Sequence, residues 1–236
     1  MQLGSPSGPP PATTRELLSR LHRSPRPALT QYGDGAAPFP GTSPVRVELS
    51  GKVIAQWAYK CANLLWEEGV GEGDLLTLDA SPTWRALPWA LGAWLQGVTL
   101  ATLPQEGAVT VTDRPEGAVG GLVVALPHDP LALAWGGGLP PGVLDGAADV
   151  ASQADLPLGS AEPAESSVAL ADAGIRFGDL YEVIGVGASR RVLVEASSTW
   201  DLVRRSVAAW RAGGGVVVVN GVDGEALERI RTQEGL

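Results

Sequence analysis

The chain has 236 residues, 44% of them hydrophobic, with eight Trp and a net charge of −9 from 17 basic and 26 acidic side chains. That acidity argues against nucleic acid, whose affinity rests on phosphate neutralisation by Lys and Arg, and against an anionic membrane surface. One cysteine, Cys61, leaves no disulfide within the chain and fits a reducing cytoplasm, and the amino terminus lacks the basic-then-apolar pattern of a secretory signal.

In chain order, residues 1–13 are rich in Gly, Ser and Pro and read as a disordered tail. Leu17, Leu18 and Leu21 share one face, which predicts a short helix over Thr14 to Arg23. Pro27-Ala28-Leu29 leads into a strand, residues 33–44 form a turn-rich hairpin loop, and Val45 to Leu49 returns as a second strand. Ser50 caps a helix over Gly51 to Glu68, with a stripe of Val53, Ile54, Trp57, Cys61, Leu64 and Leu65. A strand–helix–strand unit follows, then strands at Val109 to Thr112 and Leu122 to Leu126. Residues 127–165 are rich in Gly, Pro and Asp and predict at most one short helix, near Val143 to Ala151. A strand at Val168 to Leu170 and a helix over Phe177 to Ile184 lead to a second strand–helix–strand unit. Asp223 caps the last helix, Glu225 to Thr232.

The two units are copies. Residues 69–103 align without a gap on residues 185–219, with ten identities in 35 positions. Gly69-Val70-Gly71 matches Gly185-Val186-Gly187, Ala80-Ser81 matches Ala196-Ser197, and Thr83-Trp84 matches Thr199-Trp200. Ala93-Trp94 matches Ala209-Trp210, and Gly97 matches Gly213. Each copy reads as a short buried strand, a Ser or Thr cap, a helix with one buried face, a glycine stop and a second, parallel strand. Trp84, Leu87, Leu91 and Trp94 form the first apolar stripe; Trp200, Val203, Val207 and Trp210 form the second. The polar residues Asp201, Arg204, Arg205 and Arg211 on the second helix place both in a water-facing layer rather than a membrane. The expected fold class is α/β: two pseudo-symmetric lobes of mainly parallel sheet flanked by helices in αβα layers. The lobes would be residues 14–126 and 166–236, joined by the 127–165 connection.

Further residues carry a family likeness. Pro27-Ala28-Leu29, the helix end Asn63-Leu64-Leu65-Trp66-Glu67-Glu68-Gly69-Val70, and Gly73-Asp74 entering a strand resemble the start of adenylate-forming enzymes. Arg191 to Val194, Ala212 to Val219 and Asp223-Gly224-Glu225 are similar to the segment after that family's phosphate loop. The resemblance spans about residues 27–231 and is strongest to a small actinobacterial group of AMP-binding-enzyme-like proteins. It implies the family's large amino-terminal domain, which consists of two pseudo-symmetric α/β subdomains. It also implies a Ser/Thr/Gly-rich phosphate loop with Pro-Lys between Val168 and Gly185. This chain has Ala171-Asp172-Ala173-Gly174-Ile175-Arg176-Phe177-Gly178 there, with no Ser, Thr or Lys. Its only lysines, Lys52 and Lys60, lie in the first long helix, and the family's adenine segment, ribose-binding Asp and catalytic Lys would fall beyond Leu236.

No residue therefore qualifies as catalytic, and neither a cofactor nor a metal is expected. His22 and His128 are isolated, without the pairing a zinc site needs. The Gly-rich turns at Gly69 and Gly185 follow a helix and open a strand, the reverse of a dinucleotide fingerprint. Ser81, Thr83 and Trp84, with Ser197, Thr199 and Trp200, stand at strand ends and helix starts, where open α/β sheets bind ligands. Asp79 and Glu195 beside them disfavour an anion, and capping plus packing is the simpler reading of all six. The resemblance puts the place of Ser197 to Trp200 near the acyl pocket, and Arg176 is the nearest cation for a phosphate; Ser197, Thr199, Trp200 and Arg176 are the candidate ligand residues. The leading expectation is a cytoplasmic, non-catalytic module that binds a small acyl or neutral ligand and forms no acyl-adenylate. Two alternatives stay open: a minimal nucleotide-dependent acyl-activating enzyme needing a partner chain, and a structural homodimer.

Overall fold

A computed structural model describes residues 8–33, 45–118, 121–159 and 162–236. The first helix, α1 (Thr14–His22), is capped by Thr13, whose hydroxyl accepts from the Glu16 N–H. Strands β1 (Pro27–Tyr32) and β2 (Arg46–Ser50) form an antiparallel pair, and Ser50 caps α2 (Gly51–Glu67) as expected. The loop expected at residues 33–44 lies, apart from Gly33, outside the described residues. β3 (Leu75–Asp79), α3 (Ala86–Leu95) and β4 (Thr99–Ala101) make the first unit. β5 (Val109–Thr112), β6 (Leu122–Ala125), β7 (Val143–Asp145) and the short α4 (Ala148–Ala151) follow. Then come β8 (Val168–Leu170), a 3₁₀ turn at Ala171–Ala173, β9 (Ile175–Arg176) and α5 (Phe177–Ile184). β10 (Arg191–Val194), α6 (Thr199–Arg211) and β11 (Gly215–Val219) make the second unit, and α7 (Gly224–Glu234) is the last element.

Several expectations need correction. Residues 9–13 are not a free tail: the Pro9 carbonyl accepts from Arg20, the Pro11 carbonyl from Arg211, and Ala12 N–H donates to Glu16. The short helix expected near Val143 to Ala151 is present as α4 but confined to the last four of those residues; Val143–Asp145 is a strand, because Val123↔Val143 and Ala125↔Asp145 pairing extends the sheet edge. α3 begins only at Ala86 and has no side-chain cap, whereas Ser198 caps α6 by accepting from Asp201 N–H. The residue aligned with Ser198 is Pro82, which has no hydroxyl to offer. Nor is α3 amphipathic. All ten of its residues are buried, while α6 keeps a solvated side at Arg204. A helix apolar all round is stable only inside a core, and α3 packs against α1, α2, α6, β3 and β4. Among the described residues, no helix is long and apolar enough to cross a membrane.

The strands form two sheets, β7-β6-β5-β3-β4-β8-β9 and β10-β11-β1-β2. Both repeat units are parallel strand pairs, β3 with β4 and β10 with β11. The contiguous lobes expected from sequence are not the units of hydrogen bonding. The β1–β2 hairpin pairs with β11 of the second unit, and the β8–β9 hairpin pairs with β4 of the first. The registers correspond: Leu100 faces Leu170 as Val216 faces Leu29. Trp94 Nε1 donates to the Ala169 carbonyl at 2.9 Å, and Trp210 Nε1 to the Ala28 carbonyl at 2.9 Å. Gly97 and Gly213 stop their helices with φ +76° and +77°, where only glycine is unstrained. Each strand pair is thus completed by the hairpin of the other half of the chain, an exchange of hairpins between the two halves.

One continuous apolar core links both sheets through the helices between them. Leu76, Leu78, Val109, Val111 and Val124 face it from the larger sheet; Leu29, Val194, Val216 and Val218 face it from the smaller. The outer face of the smaller sheet carries Tyr32, Val217 and Val219 and is covered by Ile230 of α7. A buried carboxylate anchors that helix: Glu234 Oε1 accepts from Tyr32 Oη at 2.5 Å, and the carboxylate pairs with Arg46 and Arg191.

Candidate functional site

Parallel sheets bind ligands where successive connections leave to opposite sides. In the larger sheet that place is the carboxyl end of β3 and β5, since β4 lies on one side of β3 and β5 on the other. Leu76, Leu78, Val109 and Val111 point into the core, so alternation turns Thr77, Thr110 and Thr112 to the opposite face. There they line a cavity of about 460 Å³ beneath Pro104–Glu106 and the turn after β5. Thr77 Oγ1 donates to the Gln105 carbonyl at 2.8 Å, which holds that wall. At the mouth, Arg114 pairs with Asp79 at 2.9 Å and lies 3.6 Å from Asp113. Asp113 is buried and also accepts from Ser81 N–H at 2.8 Å. Hydroxyls, the carboxylates of Asp79, Glu106 and Glu116 and the one guanidinium of Arg114 suit a small polar molecule that is neutral or cationic. The threonines and Arg114 were not singled out from sequence. The signal was present in Leu-Thr-Leu-Asp and Val-Thr-Val-Thr, whose period of two puts the threonines on one face.

The predicted ligand residues are placed differently. Thr199 is buried, and its hydroxyl donates to the Ala80 carbonyl at 2.6 Å, tying the two units together. Trp200 packs edge-on against Trp94, with ring centroids 6.3 Å apart. Ser197 remains exposed. Nearby, Asn220 Nδ2 reaches the Pro82 carbonyl at 3.0 Å and Gln31 Oε1 accepts from Trp84 N–H at 2.6 Å. The seam is therefore closed by hydrogen bonds at the Thr199–Trp200 position. Arg176 is exposed at the other end of the sheet, paired in register with Val168. Val168 is level with Thr99 and Leu75, five residues of strand before Ala80, roughly 17 Å away. The structure does not bring Arg176 to Ser197, Thr199 and Trp200.

A loop over the same end of the larger sheet is held by a buried cation. Arg85 Nη2 donates to the carbonyls of Asp129, Pro130 and Ala132, and its guanidinium lies 4.7 Å from the Trp84 ring. Burial pulls its pKa down to about 10, against the opposing charges of Asp129 and Asp145.

Where the resemblance implies a phosphate loop, the chain makes a short closed turn. Asp172 accepts from Thr102 N–H and Oγ1, both at 2.7 Å, and from Gln105 Nε2 at 3.0 Å. Gly174, with φ +62°, then turns the backbone into β9, antiparallel to β8. Phosphate loops instead aim free backbone N–H groups at the ligand. Here the turn carries a carboxylate that is held by Thr102 and Gln105 beyond the end of β4.

No protein-family model matches this sequence, and no curated protein sequence matches it. Solved structures do. An acyl-CoA synthetase of Brucella canis superposes with a TM-score of 0.71 at 18% identity, covering 99% of this chain and 47% of its own. The amide bond synthetase McbA of Marinactinospora thermotolerans gives 0.65 at 16% identity, over 94% and 47%. The amino-terminal subdomain of Klebsiella oxytoca NpsA, solved with 3-hydroxybenzoyl-AMSN, gives 0.62 at 12% identity, over 97% and 59%. The chain thus spans about half the length of the first two proteins. At these identities the likeness is one of fold, and the fold is that of the large amino-terminal domain of adenylate-forming enzymes.

Proposed function

We propose that this chain is a non-catalytic member of that fold, acting as a binding or regulatory module for a small polar ligand. The observation that carries the reading is Asp172. Adenylation sets a triphosphate beside a carboxylate and needs preorganised donors and cations around both. At the phosphate-loop position the chain offers a carboxylate instead, which already accepts from Thr102 and Gln105. The closed seam at Thr199 and Trp200 acts in the same direction, because it occupies the place where the resemblance puts an acyl group. The threonine-lined cavity beside Asp79 and Arg114 supports a ligand-binding role.

The test is ATP–pyrophosphate exchange with a panel of carboxylic acids. The isolated protein is expected to give no exchange above a protein-free blank. Acid-dependent exchange would replace this reading with that of an acyl-activating enzyme.

A further inference from the structure

We propose that a second, arginine-lined groove binds a compact polyphosphate anion, of the oligophosphate or bisphosphate class. The groove lies at the amino-terminal ends of β1, β10 and β11, with a volume of about 910 Å³. Arg20, Arg23 and Arg26 line one side as the chain leaves α1, and Arg190 and Arg191 line the other. Its floor is the backbone of Gly213 to Gly215 over the buried Trp210. Among the described residues no carboxylate lines it, in a chain whose acids outnumber its bases by 26 to 17. Three of the arginines have structural work. Arg20 donates to the carbonyl of Arg211 at the end of α6, Arg23 to Ser19, and Arg191 pairs with Glu234. Arg26 and Arg190 are exposed and have no side-chain partner among the described residues.

The internal repeat supplies a comparison within one molecule. Arg190 aligns with Asp74, and Gly213-Gly214-Gly215 with Gly97-Val98-Thr99. At that place in the first unit the space is filled and acidic. Glu72 accepts from Ala164 N–H at 3.2 Å and Ser167 Oγ at 2.7 Å, and Thr99 Oγ1 reaches the Val168 carbonyl at 2.8 Å. A Cβ on Gly97 would meet Pro163 at 3.3 Å. One fold position is closed by segment 163–168 in one copy and open and cationic in the other. Packing of the fold does not require the arginines there.

Ligand class follows from what the groove offers. Guanidinium forks match phosphate oxygens two at a time. Trp210 is 1% exposed, so no ring face is available for a base to stack on, and Leu21 and Ala28 are buried, so no apolar recess is open to a peptide side chain. The proposal is independent of whether the protein adenylates, because the groove opens at the opposite end of the strands from Thr199.

Calorimetric titration of the whole chain with tripolyphosphate tests it. One-site binding is expected at low salt, weakening as salt is raised. The R26A/R190A variant should bind at least about tenfold more weakly, and R229A, on α7, should match the parent. Absence of saturable binding at low salt, or equal affinity in R26A/R190A, would overturn the site. Poly-glutamate binding as tightly as tripolyphosphate would overturn the phosphate assignment, as would ATP binding more tightly than tripolyphosphate.

Discussion

Trp94 and Trp210 do the same two things in the two halves of the chain: each fills the core and each donates its indole N–H to a strand carbonyl. Both roles are lost on truncation. Trp94→Ala and Trp210→Ala should each cost about 3–5 kcal/mol, read from denaturant titrations; a loss below about 1 kcal/mol at either would contradict the packing. Core position was legible from the shared 3, 4, 3 spacing, whereas the carbonyl partners were not, because Ala169 and Ala28 are brought there by strands far away in sequence. Asp172 is a second residue whose role depends on distant partners, Thr102 and Gln105. Asp172→Ala leaves those donors unmatched and should lower stability by about 1–3 kcal/mol. Unchanged stability would mean that the turn is not held by this carboxylate.

The elements were mostly visible in sequence, and where they were not the reason is local. Ser50, Asp223 and Ser198 cap their helices, but the aligned Pro82 cannot, so α3 starts three residues later than its copy. The two-residue strand β9 shows no periodicity and forms only because β8 pairs with it. Helix α2 approaches α3 at Gly92, where a Cβ would meet the Ala58 carbonyl, Ala62 N and Cys61 Cβ, each at 2.9 Å. Backbone cannot yield there, so Gly92→Ala should destabilise by about 1–3 kcal/mol despite the better helix propensity of alanine. Helix α7 gives a pH prediction. Burial alone would raise the Glu234 carboxyl, but the hydrogen bond from Tyr32 and the charges of Arg191 and Arg46 outweigh it and hold it below its ordinary value of 4.5. A carboxyl depressed by folding contributes stability that is complete above its unfolded value and is lost as pH falls through the folded one. Acid titration should therefore release α7 below about pH 4.5, and Glu234→Gln should remove that component. An acid limb identical in Glu234→Gln would contradict it.

At the scale of the whole molecule, the duplication was legible but the exchange was not. Ala28-Leu29 and Ala169-Leu170 are the matching pair in the two hairpins, yet they fall out of step with the main repeat because both the connection between the hairpin strands and the helix after them are longer in the first half. Pairing of β1 with β11 and of β8 with β4 is set by tertiary packing, which no local pattern reports. The strand-end cavity was hidden for the same reason, since its threonines sit on two strands joined only through the sheet. The exchange is the central claim, because it makes each sheet depend on both halves of the chain. Differential scanning calorimetry tests it directly. Two copies completed by each other's hairpins should unfold in one transition, with a calorimetric enthalpy equal to the van't Hoff enthalpy. Two separable transitions, one for each contiguous half, would contradict the exchanged architecture.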